Sequence, residues 1–250
     1  KELIVIAQDI TRYGMDWDGK PHLADLLEEL CKLDFHWIRL HYLYPEWIDD
    51  RLIDVIAREG KILKYLDIPL QHCNDKILKK MNRRGDKKYL CALLDKLRER
   101  IPGLVLRTSI IAGLPGEGEE EFDELCDFLR EQKLLRAGVF PYSPEEGTRA
   151  AKMERVDSDE AARRAERIVD IQSEIIDAWN DERQGDVMEV LCEGFDGQSM
   201  LFVGRSYAES PDIDGRIYFS APRDVAAGEF VPVRITGAMD GELTGELAEE

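Results

Sequence analysis

The strongest constraint on the fold is an alternation that runs through roughly the first three-fifths of the chain. Short, continuous, β-branched apolar runs take turns with amphipathic helical stretches. The runs Leu3 to Ala7, Trp37 to Leu40, Tyr65 to Ile68, Val105 to Ala112 and Ala137 to Phe140 read as buried strands. Between them, Pro21 to Lys32, Asp50 to Arg58, Asp75 to Lys80, Lys87 to Arg100 and Glu119 to Gln132 read as helices. Strands that alternate with helices build a parallel sheet from βαβ units, here expected as part of a (β/α) barrel. Ser158 to Arg183 then reads as one long charged helix, capped by Asp157 or Ser158 and followed by Gly185.

The pattern changes near Gln184. Val187 to Cys192, Met200 to Arg205, Ile217 to Phe219, Phe230 to Thr236 and Leu243 to Leu247 are short strand-like runs with turns and no helix between them. That spacing predicts a small antiparallel barrel of the OB type. Two domains are therefore expected, residues 1–184 and 185–250. The first residue, Lys1, opens directly into a strand with no initiator Met, as in a piece cut from a longer protein. No apolar run approaches the roughly 20 residues of a membrane helix, and no secretory leader is visible. The five cysteines, Cys31, Cys73, Cys91, Cys126 and Cys192, are scattered without metal-ligand spacing, which fits buried thiols in a reducing cytoplasm.

Ligands of parallel α/β sheets bind at the carboxyl ends of the strands. Each expected strand ends in polar or glycine-rich residues. These are Gln8, Asp9, Thr11 and Tyr13-Gly14; His41, Tyr42 and Tyr44-Pro45; Pro69, Gln71, His72 and Asn74; Gly113 to Glu117; and Tyr142 to Thr148. Singly, each has a plain structural reading. Gln8-Asp9 reads as a loop cap, Gln71-His72 as a turn with an N-cap, and His41 as a hydrogen-bonded rim histidine. Gly113 to Glu117 reads as a tight turn before an acidic helix start, and Ser143 to Thr148 as a surface turn. Their joint placement on successive strand ends points to one shared site.

The segments Ile6-Ala-Gln-Asp-Ile-Thr-Arg-Tyr-Gly14, Arg39-Leu-His-Tyr-Leu-Tyr-Pro45, Asp67-Ile-Pro-Leu-Gln-His72, Met81-Asn-Arg-Arg84, Gly113-Leu-Pro-Gly-Glu117 and Phe140-Pro-Tyr-Ser-Pro-Glu-Glu-Gly-Thr148 resemble the radical S-adenosylmethionine methylthiotransferases, most closely their RimO type. The resemblance covers nearly the whole chain, and the tail resembles that family's TRAM domain. It implies S-adenosylmethionine as cofactor and two 4Fe–4S clusters in the full-length enzyme. It also implies transfer of a methylthio group to Cβ of an aspartate in ribosomal protein S-twelve, free or on the small subunit. By the same resemblance the cluster-binding C-x-x-x-C-x-x-C loop would follow a first barrel strand that this chain lacks. The chain alone is therefore expected to bind no cluster, to hold no metal, to carry no catalytic residue of its own and to turn over no substrate.

Carried over by position, the strand ends would form the lower wall of the S-adenosylmethionine pocket. Gln8 and Asp9 would meet the methionyl amino and carboxyl groups or position the substrate. Gln71 and His72 would reach the ribose or the sulfonium. Arg107 either points inward to pair a carboxylate or outward into a salt bridge. Gly113 and the backbone from Phe140 to Tyr142 would flank the adenine.

Charge arbitrates between substrates. The chain has a formal net charge of −18, from 34 Lys and Arg against 52 Asp and Glu. From Gly185 onward 4 arginines face 14 acidic residues, so the tail alone carries −10. Its aromatics (Phe195, Phe202, Tyr207, Tyr218, Phe219 and Phe230) read mainly as barrel core. An RNA-binding OB-like barrel needs a positive groove, whereas a negative one suits a basic ribosomal protein. Nucleic acid and membrane are thus not expected as partners. The alternatives are the tRNA adenosine methylthiotransferases of the sister subfamily and a non-catalytic protein-interaction module.

Overall fold

The computed structural model describes residues 1–248; Glu249 and Glu250, counted above in the tail's charge, lie outside the described residues. Five parallel strands form one sheet in sequence order: β1 (Glu2–Val5), β2 (Trp37–Leu40), β3 (Ile62–Asp67), β4 (Val105–Ala112) and β5 (Arg136–Pro141). This is the expected partial barrel sheet. The helices are α1 (Met15–Asp18), α2 (Leu23–Leu30), α3 (Asp50–Arg58), α4 (Asp75–Lys80), α5 (Lys87–Arg100), α6 (Glu119–Gln132) and α7 (Ser158–Glu182). Leu27, Ile53, Ile56, Leu97, Leu125 and Phe128 are fully buried, so the apolar faces of the helices supply the core that covers the sheet.

The sequence sets the helix starts through side-chain caps. Asp49 accepts from the backbone N–H of Leu52 (2.8 Å), Asn74 from those of Lys76 and Ile77 (2.9 and 3.2 Å), and Asp86 from that of Tyr89 (2.7 Å). For α7 the cap is Asp157, which accepts from the N–H of Asp159 (3.0 Å). The differences from expectation lie at the ends of elements. β3 begins at Ile62 rather than Tyr65, because its first residues pack as fully as its last. The helix expected from Pro21 starts at Leu23, and the separate turn α1 precedes it, bounded by Gly14 and Gly19 with φ of 78° and 80°.

The chain divides into two compact units. One is Glu2–Gln172; the other runs from Ser173 onward and includes Lys1. The second unit thus takes in the last turns of α7, upstream of the composition change at Gln184. There Asn180 Nδ2 donates to the Gly241 carbonyl (3.0 Å).

The tail contains β6 (Val187–Asp196), β7 (Leu201–Arg205), β8 (Ile217–Ser220), β9 (Phe230–Met239) and β10 (Glu242–Leu247), closed into a barrel of order β10-β8-β7-β6-β9. Four of its pairings are antiparallel, but β8 and β10 pair in parallel, which corrects the fully antiparallel expectation. The reason is topological: strand direction cannot alternate all the way around a ring of five. Phe202 and Phe219 belong to the barrel core with Val190, Val231, Val233 and Ile235, whereas Phe195 is exposed.

Two glycines let neighbouring strands close. A Cβ on Gly204 would lie 2.5 Å from the Leu191 carbonyl oxygen, and one on Gly245 2.5 Å from that of Arg234. Gly245→Ala is expected to destabilise the barrel by about 1–3 kcal/mol, as overpacking does. Chemical denaturation followed by Trp179 fluorescence checks this, and an unchanged midpoint contradicts it.

Candidate functional site

A cavity of about 580 Å³ opens where the carboxyl ends of β3, β4 and β5 meet. That volume suits a drug-sized ligand. Of the residues singled out in sequence, Gln71, Arg107, Phe140 and Tyr142 line it. Tyr42, Ser143, Glu145 and Thr148, noted on strand ends, join them, together with Ser109 and Ile111 of β4. The last two had a readable signal. Residues 107, 109 and 111 share one face of a strand, so an inward Arg107 brings the other two inward with it.

Two wall residues hold backbone conformations that side chains disfavour. Tyr42 has φ 58° and Gln71 φ 72°. Such strain clusters where surrounding structure over-determines the backbone, commonly at ligand sites. Gln71 is pinned to β4: its N–H donates to the Ser109 carbonyl (2.8 Å), and its carbonyl accepts from the Ile111 N–H (3.0 Å).

Arg107 points inward and at the same time makes a buried salt bridge. It is 9 % exposed. Its Nη1 donates to Asp67 Oδ1 (2.9 Å), and the other oxygen of Asp67 meets His41 Nδ1 (3.1 Å). The side chain faces the cavity, and its ion pair with Asp67 is internal rather than outward. Gly138 lies beside this pair, and a Cβ there would be in ordinary van der Waals contact with Arg107 Nη2 (3.5 Å) and the Phe140 ring (3.4 Å). Among the described residues, the buried Tyr142 hydroxyl has no hydrogen-bond partner.

His72 and Gly113 lie behind the wall rather than on it. The His72 ring is fully buried. Its Nδ1 accepts from the Asn74 N–H (2.9 Å), which leaves the proton on Nε2, 3.3 Å from Glu117 Oε2. Glu117 Oε1 accepts from the Gly113 N–H (2.9 Å) and from Arg164 Nη1 of α7 (2.9 Å). Burial pushes the Glu117 carboxyl up, but His72, Arg164 and the Gly113 amide outweigh it and hold the group below the usual carboxylate range. Gly113 has φ 81°, and a Cβ there would collide with that of Ala161, so α7 packs directly on this loop. Glu117 thus has a larger role than that of an acidic helix start. No local signal announced Arg164 as its partner, since 47 residues separate them.

Gln8 is exposed beyond β1. Asp9 accepts from the N–H (3.0 Å) and hydroxyl of Thr11 and so caps the turn Ile10–Arg12. Neither lines the cavity.

The cavity suits a zwitterionic, partly aromatic molecule. It offers one cation, Arg107, one anion, Glu145, aromatic walls and a buried hydroxyl without a partner. The cysteines do not suit an iron–sulfur cluster. Among the described residues no group of three or more His, Cys, Asp or Glu side chains comes together as a metal site. Burial raises all five thiols above the ordinary range, opposite to what a thiolate ligand needs. In the barrel, a second hollow of about 510 Å³ is lined by Glu193, Phe195, Asp196, Arg216 and Tyr218. No described helix is long and apolar enough to cross a membrane.

Comparison with known proteins agrees with this architecture. Residues 8–129 match the Radical SAM superfamily and residues 185–248 the TRAM domain. The fold resembles coproporphyrinogen III oxidase from Escherichia coli, with a TM-score of 0.52 over 76% of this chain and 51% of that one, at 17% identity. The class is therefore a radical SAM protein that carries a TRAM barrel. The ribosomal protein uS12 methylthiotransferase RimO of Symbiobacterium thermophilum is 47% identical over 100% of this chain and 52% of its own length. That of Pelotomaculum thermopropionicum is 48% identical over 98% and 56%. The chain belongs to the radical SAM methylthiotransferase family, RimO type, and spans about half the length of the curated relatives it matches.

Glu117→Gln is expected to destabilise the Glu2–Gln172 unit by about 1–3 kcal/mol, because it removes the charge that His72, the Gly113 amide and Arg164 meet, while Arg164 keeps Glu160 (3.0 Å). The stabilisation from the native carboxylate is present above the ordinary Glu pKa of about 4.3 and is lost as pH falls through the lowered native value. The acid limb of the wild-type stability curve should therefore be steeper than that of the variant. Parallel limbs in urea melts across this pH range would contradict the assignment.

Proposed function

We propose that this chain forms the cofactor pocket and substrate clamp of a cytoplasmic methylthiotransferase. The enzyme attaches a methylthio group to Cβ of an aspartate in ribosomal protein uS12. The observation that carries the reading is the cavity at the strand ends, with its buried Tyr142 hydroxyl and inward Arg107. In this reading the cavity takes S-adenosylmethionine, which supplies the methyl group. Gln71, Ser109 and Tyr142 offer it hydrogen bonds, Phe140 and Ile111 offer apolar contact, and Arg107 offers a site for a carboxylate. Asp67 and His41 keep Arg107 oriented through buried hydrogen bonds (2.9 and 3.1 Å). Gln8, Asp9, His72 and Gly113 act at one remove: Asp9 shapes the loop after β1, and His72 and Gly113 brace the cavity from behind.

The acidic barrel supports a basic protein as substrate. In its hollow Glu193 is paired with Arg205 (2.6 Å) and Arg216 sits beside Asp196 and the exposed Phe195 ring, so the support comes from the barrel's overall charge of −10. The same acidity disfavours the tRNA-modifying sister subfamily, whose barrel would have to meet phosphates.

The test uses the full-length protein. Tyr142→Phe is expected to weaken S-adenosylmethionine binding about fivefold, the value of one net hydrogen bond, and Arg107→Gln by more. Equilibrium dialysis reads the affinity, and mass spectrometry of uS12 reads the added methylthio group. Unmodified uS12 after incubation with active wild-type enzyme, or unchanged affinity in both variants, would overturn the reading.

A further inference from the structure

The segment around Met81-Asn-Arg-Arg84 plays no part in the cavity. Residues 76–88 hold seven Lys and Arg and one acidic residue, Asp86, in a chain whose net charge is −18. Two of the seven are neutralised: Lys76 pairs with Glu121 (2.9 Å) and Lys87 with Glu124 (3.1 Å). Among the described residues no carboxylate pairs with Lys79, Lys80, Arg83, Arg84 or Lys88. Four of these are exposed and Arg83 is half-buried. Five cations without a described carboxylate partner, gathered within thirteen residues, make a local positive patch on an acidic protein.

The cluster is also ordered. The Arg83 guanidinium lies 5.0 Å over the Tyr44 ring and that of Arg84 5.7 Å over the Trp47 ring. The loop between α4 and α5 is closed by Arg83 N–H to the Leu78 carbonyl (2.9 Å) and Lys87 N–H to Asp75 Oδ1 (2.8 Å). Tyr89 Oη ties it to the Pro45 carbonyl (2.8 Å). Gly85, at φ 87°, gives way to the Tyr89 ring. Lys80 reaches over Gly116, so the patch borders the Gly113 to Glu117 loop on the same rim as the cavity.

We infer that this face binds the phosphate backbone of RNA. Planar guanidinium groups held against aromatic rings suit phosphate oxygens, because little side-chain freedom is lost on contact. A membrane surface is a poorer match, since no large apolar side chain between residues 76 and 88 is exposed to insert. The choice of RNA over DNA rests on the ribosomal substrate proposed above; the phosphate site itself rests on charge and geometry alone. The site lies in the Glu2–Gln172 unit, outside the acidic barrel.

The test is fluorescence anisotropy of the full-length protein with a labelled RNA duplex of about 16 base pairs, titrated from about 50 to 200 mM salt. The variant K79Q/R83Q/R84Q/K88Q is expected to bind at least about tenfold more weakly and to lose about 3 from the slope of log affinity against log salt. K79Q/K88Q removes two side chains without a described carboxylate partner and should lose about half of that slope, which guards against misfolding of the larger variant. Unchanged slopes in both, or preference for anionic lipid vesicles over the duplex, would overturn the inference. Modification of isolated uS12, measured in parallel, should be unaffected. If wild-type protein leaves uS12 unmodified yet the slopes change, the proposed reaction fails and the phosphate site stands.

Discussion

A carboxylate removed from water has to be met by cations or by N–H groups, and two such carboxylates organise the first unit. Glu117 draws in the Gly113 amide, the His72 ring and the Arg164 guanidinium, and so joins the ends of β3 and β4 to α7. Asp67 draws in Arg107 and His41, and so joins β2, β3 and β4 inside the sheet. Because an unpaired buried charge is far more expensive than a paired one, each hub fixes several segments at once. The cavity lies between them, and its shape follows from theirs. Gln71 illustrates this: its unfavourable φ persists because β4 holds its backbone on both sides while the adjacent His72 is committed to Glu117.

Much of the fold was legible because it rests on local patterns. Continuous apolar runs, the cap at Asp157, and the loss of helical spacing after α7 each depend on neighbours in sequence. The site was legible only as far as its strand ends. Gln71, Arg107, Phe140 and Tyr142 meet in one cavity, whereas His72 and Gly113 were legible as important but not as buried supports. Their partners, Arg164 and Ala161, come from a helix far along the chain, and no local rule ties a glycine to a distant alanine. Asp67, placed within a strand motif, gave no sign of being the group that aims Arg107.

Charge was legible in a different and misleading way. A net value of −18 is a sum, and a sum conceals arrangement. The acidic barrel and the cationic face beside α4 are both present in it, with opposite consequences for what each surface can approach. At ordinary ionic strength a Debye length is about 8 Å, so a partner responds to the patch within reach and scarcely to the total.

The odd ring of the second unit bears on how the chain folds. β10 is the final described strand, and it pairs with β9 on one side and β8 on the other. Until that segment is available, β8 and β9 each keep an open edge, and the barrel core around Phe219 and Val233 lacks one wall. Closure therefore waits until β10 has been made, while the strands of the first unit pair in the order in which they are made. Until then the nascent barrel is an unfinished sheet, exposed to edge-to-edge pairing. Its dense negative charge then serves a second purpose, keeping incomplete copies apart by mutual repulsion.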